Sequence, residues 1–207
     1  PADAQAAAQA AHDALLEALA EVDDTFMEAY LENPEQDAPA IKAALRRTVI
    51  AQTLVPVFCG SSLKNKGVQA LLDGIVDYLP SPNERKAPVG TNVKTDEPAE
   101  VVMDAAAPLS ALVFKIATDP YVGRLFFVRV YGGALKKGQN VYNPRTRKRE
   151  RLMKLLRVKS DEEEELETLS AGDIGAVVGL KEVPTGDTLC AENKPVALMG
   201  ITAPEPV

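Results

Sequence analysis

Residues 109–142, LSALVFKIATDPYVGRLFFVRVYGGALKKGQNVY, contain three runs rich in β-branched and aromatic residues: Ala111 to Ala117, Arg124 to Tyr131 and Gln139 to Tyr142. Asp119-Pro120, Gly132-Gly133 and Gly138 punctuate them, which is the pattern of consecutive short antiparallel strands. Within the second run Phe126, Val128 and Val130 share one face and are wholly apolar, whereas Leu125, Phe127, Arg129 and Tyr131 share the other. One side of a sheet is therefore expected to be buried and the other partly wet. The glycines supply the backbone freedom that tight strand reversals need.

The strand signals continue downstream. Asn143-Pro144 turns the chain, Arg149 to Val158 reads as one strand, and Leu166 to Thr168 borders a turn at Ser170 to Gly172. Ile174 to Val178 is a further apolar strand, and Thr185-Gly186-Asp187 closes a last hairpin leading to Leu189. Strands at this spacing over residues 108–193 predict a closed β-barrel, which removes exposed edges; an immunoglobulin-like sandwich is the alternative.

Upstream the pattern is helical. Ala2 to about Leu31 is dominated by Ala, Leu and Glu with no Gly or Pro, and Leu15, Leu19, Val22, Phe26 and Tyr30 fall on one stripe. Asn33-Pro34 ends that helix, and Pro39 suits the first turn of a second one from Ala40 to about Ile50. Thr53 to Cys59, TLVPVFC, is an almost wholly apolar run of the kind found in a central parallel strand, although Pro56 cannot donate to a ladder. A glycine-serine turn follows, then a helix from Val68 to Leu79. Its Val68, Leu71, Leu72, Ile75, Val76 and Leu79 are spaced for burial, which ties the helix to the preceding strand. Such a strand, turn and helix make half of a βαβ unit, whose ligands bind at the carboxyl end of the strand.

Residues 1–82 are thus expected to be α/β, helices with part of a nucleotide-binding sheet. Residues 83–107, rich in Pro, Ala and charge, read as a linker with one short strand near Glu100 to Met103, and 194–207 as an extended lead into a further domain.

The 207 residues carry a net charge of −7, which argues against general nucleic-acid coating, but charge is strongly segregated along the chain. Between Lys136 and Lys159 there are ten bases and one acid, and an acidic run from Asp161 to Glu167 follows at once. The first 50 residues hold ten acids and three bases. No apolar window is long enough for a membrane span, and no leader resembles a signal peptide, so a cytoplasmic protein is expected. Cys59 and Cys190 stand apart from any CxxC pair and read as buried thiols. With His12 the only histidine, no metal site is expected. The chain opens at Pro1, which suggests a piece of something larger.

The strings FKIATDPYVG (from Phe114), RVYGGALKKGQNVYN (from Arg129), RERLMKLLRV (from Arg149), AGDIGAVVGL (from Ala171) and TGDTLC (from Thr185) occur in order. Together they resemble the second domain of the bacterial elongation factor G family, GTPases that move tRNA and mRNA through the ribosome. The resemblance implies a translation-factor-type barrel resting on small-subunit ribosomal RNA. It further implies that the first helices close an insert carried within a GTPase domain. Gly60-Ser61-Ser62-Leu63 then looks like the last guanine-nucleotide motif, with Ser61, Ser62 and Leu63 near the base and a main-chain amide addressing its oxygen. Ser62 replaces the family's usual alanine, which a main-chain contact tolerates. In the intact protein GTP or GDP with Mg would be the cofactor; this stretch alone has no phosphate or Mg loop and is expected to be inactive. Gly133 to Gly138 has the glycine spacing of a phosphate loop, but Gln139-Asn140 follows in place of the required Lys and Ser/Thr. Asn65-Lys66 resembles the start of NKxD, but Val68 stands in the aspartate's place.

The basic stretch offers a second candidate site. Arg145, Arg147, Lys148, Arg149 and Arg151, with Lys154, Arg157 and Lys159 beyond, could neutralise RNA phosphates, with binding that falls as salt rises. No aromatic interleaves with them, so base stacking is not implied. The plain alternative is a solvated face balanced by Glu150 and the acidic run. The family tends to place His-Ala-Asn-x-Arg where this chain has Lys159-Ser160-Asp161-Glu162-Glu163, which loosens the expected approach to RNA. A monomer is expected. The rivals are another translational GTPase of the release-factor or ribosome-protection type, a free-standing RNA-binding barrel, or a spacer kept soluble by its charges.

Overall fold

A computed structural model describes residues 2–86, 88–120, 122–160 and 162–200. The chain forms two compact units, Pro1–Ser81 and Pro82–Val207. The stretch 201–207, read above as part of a lead into another domain, lies outside the described residues.

The first unit is built from α1 (Ala2–Val22), α2 (Asp24–Glu32), α3 (Ala38–Ala51) and α4 (Val68–Tyr78). The single helix expected over Ala2 to Leu31 is two. Asp23 leaves the helical region at φ −132° and turns its side chain back to accept from the Phe26 amide at 2.8 Å, capping α2. Arg47 of α3 then grips both carboxylate oxygens of Asp23 at 2.8 and 3.0 Å. That hydrogen bond holds the Asp23 carboxyl below its usual range. Of the predicted stripe, Leu19 and Phe26 are buried with Leu16 and Ala44 and Tyr30 packs against them, while Leu15 and Val22 are exposed. Asp37 caps α3 through the Ala40 amide.

Thr53 to Cys59 is extended but is not a strand, and the first unit contains no sheet among the described residues. A strand needs a neighbour to take up its amides and carbonyls, and none lies beside it. Alternate residues behave differently. Leu54 joins the helical core and Phe58 presses its ring on Gly74 of α4, whereas Val55 and Val57 are 82% and 85% exposed. The expected burial of α4 is likewise absent, since Leu72, Val76 and Leu79 are all more than half exposed and only Gly74 is buried. Cys59, expected to be buried, is exposed.

The second unit begins with a short 3-10 turn, Pro82–Glu84. The stretch expected to be a linker carries β1 (Val89–Asn92) and β2 (Pro98–Glu100), and the expected lead carries β13 (Val196–Leu198). These three pair antiparallel in the order β13-β1-β2. β1 and β2 form a local hairpin, and β13 joins it from about a hundred residues downstream. The main sheet comprises β3 (Ser110–Asp119), β4 (Gly123–Gly132), β6 (Asn140–Asn143), β7 (Lys148–Arg151), β8 (Lys154–Lys159), β9 (Glu162–Leu166), β11 (Ile174–Val178) and β12 (Thr188–Cys190). Its order is β7-β6-β12-β3-β4-β11-β8-β9, all antiparallel, with β5 (Ala134–Lys136) and β10 (Thr168–Ser170) forming a separate pair.

The single strand expected from Arg149 to Val158 is β7 and β8. The chain changes partners at Leu152-Met153, so the two halves lie toward opposite ends of the ladder. The main sheet runs from β7 to β9 as one antiparallel order, and this pairing does not by itself show the closed barrel expected from the sequence. The dominant core follows the predicted alternation. Phe126, Val128 and Val130 are fully buried with Val113, Leu135, Leu155, Val177 and Leu189, while Phe127, Arg129 and Tyr131 are half-buried on the opposite face.

Candidate functional site

The loop between Cys59 and Val68 is a small closed turn. Ser61 and Lys66 exchange backbone hydrogen bonds of 2.9 and 3.0 Å, and the Asn65 amide donates to Ser62 at 3.1 Å. Two glycines allow this closure. A side chain on Gly60 would begin 2.8 Å from the Lys66 oxygen, and one on Gly67 would begin 2.8 Å from the Cys59 oxygen, where φ is +75°. The Ser61 amide is consumed within the turn, while the Ser62 and Leu63 amides have no intramolecular partner among the described residues. Leu63 is 94% exposed, and the turn borders a hollow of about 250 Å³ lined by Phe58, Cys59, Lys66 and Leu71. Gly67→Ala should therefore destabilise the first unit by about 1–2 kcal/mol from the left-handed backbone alone. Thermal melting of the variant checks this, and an unchanged midpoint would show that the turn does not need glycine there.

The basic stretch resolves into bases held by acids and bases left free. Arg145 and Asn143 both converge on Asp187, which is 6% exposed. The guanidinium of Arg145 makes a fork at 2.7 and 2.9 Å, and the buried Asn143 amide donates at 2.7 Å. Asn143 in turn accepts from the Arg145 amide, so this cluster braces the β6–β7 turn against the loop before β12. Arg149 forks onto Glu192 at 2.7 and 3.0 Å and lowers its pKa, and Lys148 lowers that of Glu182 through a single bond of 2.5 Å. Further along, Arg157 meets Glu164 across the β8–β9 ladder at 3.1 Å. Glu165 is drawn below its ordinary carboxylate range chiefly by Lys137.

The charge reversal after Lys159 thus has a local cause: the acidic run is the cross-strand partner of the basic one. Glu150 is buried and faces the other way, accepting from the Lys181 and Glu182 amides. Of the five candidate RNA contacts, Arg145, Lys148 and Arg149 have carboxylate partners. Arg147 and Arg151 are exposed with no acid within ion-pair distance among the described residues. Arg147 sits at the tip of the β6–β7 turn with φ +56°.

The sequence reading missed two cations that sit beside aromatic rings. Lys115 lies 5.4 Å from the Phe127 ring centre and Arg129 5.4 Å from that of Tyr131. Both pairs follow from strand register, since Lys115 stands opposite Phe127 and Arg129 is two residues from Tyr131 on one face. Alternation of charged and aromatic residues was the available signal.

Residues 108–192 match the family described as elongation factor G domain 2. That match covers most of the second unit and none of the first. The whole chain is also similar to a crystal structure of a protein from Thermus thermophilus, with 28% identity and a TM-score of 0.75. The similarity covers 100% of this chain and 28% of that one, so this chain spans about a quarter of the protein it resembles. No helix among the described residues is long and apolar enough to cross a membrane. The family match is carried by the strand-built unit, while the likeness to the Thermus structure extends through the helical unit as well.

Proposed function

We propose that this chain is part of a ribosomal translocation factor, a GTPase of the elongation factor G type that acts in the cytoplasm on tRNA and mRNA movement. The observation that carries the reading is the family match over residues 108–192, placed directly after a helical unit whose exposed turn leaves two backbone amides unused. In the intact protein the first unit addresses the guanine of GTP or GDP, with Mg bound elsewhere. Ser62 and Leu63 supply free amides, and Ser61 holds the turn closed. The second unit docks on small-subunit ribosomal RNA, and the intact parent is the GTPase.

The internal ion pairs narrow the RNA candidates to Arg147 and Arg151, because Arg145, Lys148 and Arg149 already neutralise acids of the same unit. Changing Arg147 and Arg151 together to glutamate should weaken binding to small-subunit RNA. It should also reduce the slope of log affinity against log salt by about one per lost phosphate contact. Filter binding across a salt series reads both quantities. An unchanged affinity and slope would exclude this edge of the sheet as the RNA surface.

A further inference from the structure

A cavity of about 440 Å³ lies within the second unit, away from both candidate sites. Asn92, Lys94, Glu100, Asn193 and Lys194 line its polar part, and Val101, Leu109 and Val196 its apolar part. The three apolar residues are 6 to 8% exposed, so this part is a packed and preformed surface. Ser110 also lines the cavity, is 2% exposed, and its hydroxyl has no hydrogen-bond partner.

Register places Ser110 on the cavity side of the sheet. It stands opposite Cys190, and Cys190 packs with Val101 and Val196 in the core between the main sheet and the small one. Buried hydroxyls without partners are uncommon because the lost hydration is not replaced. The hydroxyl is enclosed beside Gly132 rather than open to the cavity, whose volume is nonetheless large enough for a small molecule.

The charges at the mouth have a direction. Neither Lys94 nor Lys194 has a carboxylate within ion-pair distance among the described residues, whereas the nearby Glu192 is engaged by Arg149. Glu100 is the one acid of the lining. Two cations against one anion, above an apolar floor, favour a negatively charged head with a short hydrocarbon body.

We propose that this cavity binds a small organic anion, with a phosphate or carboxylate head between Lys94 and Lys194 and an apolar body on Val101, Leu109 and Val196. The proposal is independent of the ribosomal reading, since none of these residues belongs to the guanine turn or to the β7 edge.

The test is amide chemical-shift titration of the 207-residue chain with hexyl phosphate and with hexanoate, using hexanol and inorganic phosphate as controls. Saturable shifts centred on Val101, Leu109, Ser110 and Val196 are expected with at least one of the two amphiphilic anions. Both controls should bind at least tenfold more weakly. Which anion binds more tightly distinguishes a phosphate source from a carboxylate one.

Lys94→Ala combined with Lys194→Ala should weaken binding tenfold or more, and Glu100→Gln should strengthen it. These rim variants leave the packed floor intact, and their dispersed amide spectra will show folding directly. Absence of saturable shifts at the floor would overturn the proposal. So would equal binding of inorganic phosphate, or affinity unchanged in the double lysine variant.

Discussion

Phe26→Ala is expected to cost the helical unit about 3–5 kcal/mol, the usual penalty for emptying a fully packed aromatic site. Phe26 is 2% exposed, stacks on Tyr30 with ring centres 6.2 Å apart, and packs in a core whose other fully buried members are Leu16, Leu19 and Ala44. A unit spanning Pro1–Ser81 has a net stability of only about 4–12 kcal/mol on a per-residue basis. The substitution therefore removes a large share of it. Thermal melting should show the helical circular dichroism falling at a midpoint lower by roughly 15 °C or more. The transition of the β unit should stay in place, because its core shares no residue with the helical one. Phe26→Leu should recover most of the loss. A common shift of both transitions would mean that the two units unfold as one.

The second large effect is expected at Asp187. Removing its carboxylate by Asp187→Ala strands the fully buried Asn143 amide, which now donates to Asp187 at 2.7 Å. An unsatisfied buried donor costs about 1–3 kcal/mol. Arg145 loses its fork at the same time and is released to solvent. Asp187→Asn keeps the shape and an acceptor oxygen, so it should be much milder. Urea unfolding of the β unit will separate the two variants. Equal stability of Asp187→Ala and the parent would show that the cluster does not brace the β6–β7 turn. Arg145 supplies the other half of this brace, so Arg145→Glu should lower the same unfolding midpoint.

The strand-built unit was legible in sequence because its signals are local. Alternation from Leu125 to Tyr131 places Phe126, Val128 and Val130 inside, and of the glycines that punctuate the strands, Gly133 and Gly138 take the positive φ that their turns require. The motif strings from Phe114 to Cys190 lie within the family match. The helical unit was less legible, since periodicity cannot see a cap. One aspartate, Asp23, ends α1, starts α2 and binds Arg47, and within α1 it is Leu16 rather than Leu15 that is buried. Thr53 to Cys59 has strand composition, but strand formation depends on a pairing partner rather than on composition.

Sequence by itself determined which residues can alternate, turn or cap, because those properties reside in each side chain and its immediate neighbours. It therefore placed the antiparallel strands and exposed the reversal of charge after Lys159. Tertiary structure alone decided what those charges do. Ion pairing acts over a few ångströms and joins residues distant in the chain, so only the fold could assign Arg145 to Asp187, Arg149 to Glu192 and Arg157 to Glu164 while leaving Arg147 and Arg151 uncovered. Long-range pairing likewise brought residues 196–198 beside the local hairpin of 89–92 and 98–100 and shaped the cavity beneath Lys94 and Lys194.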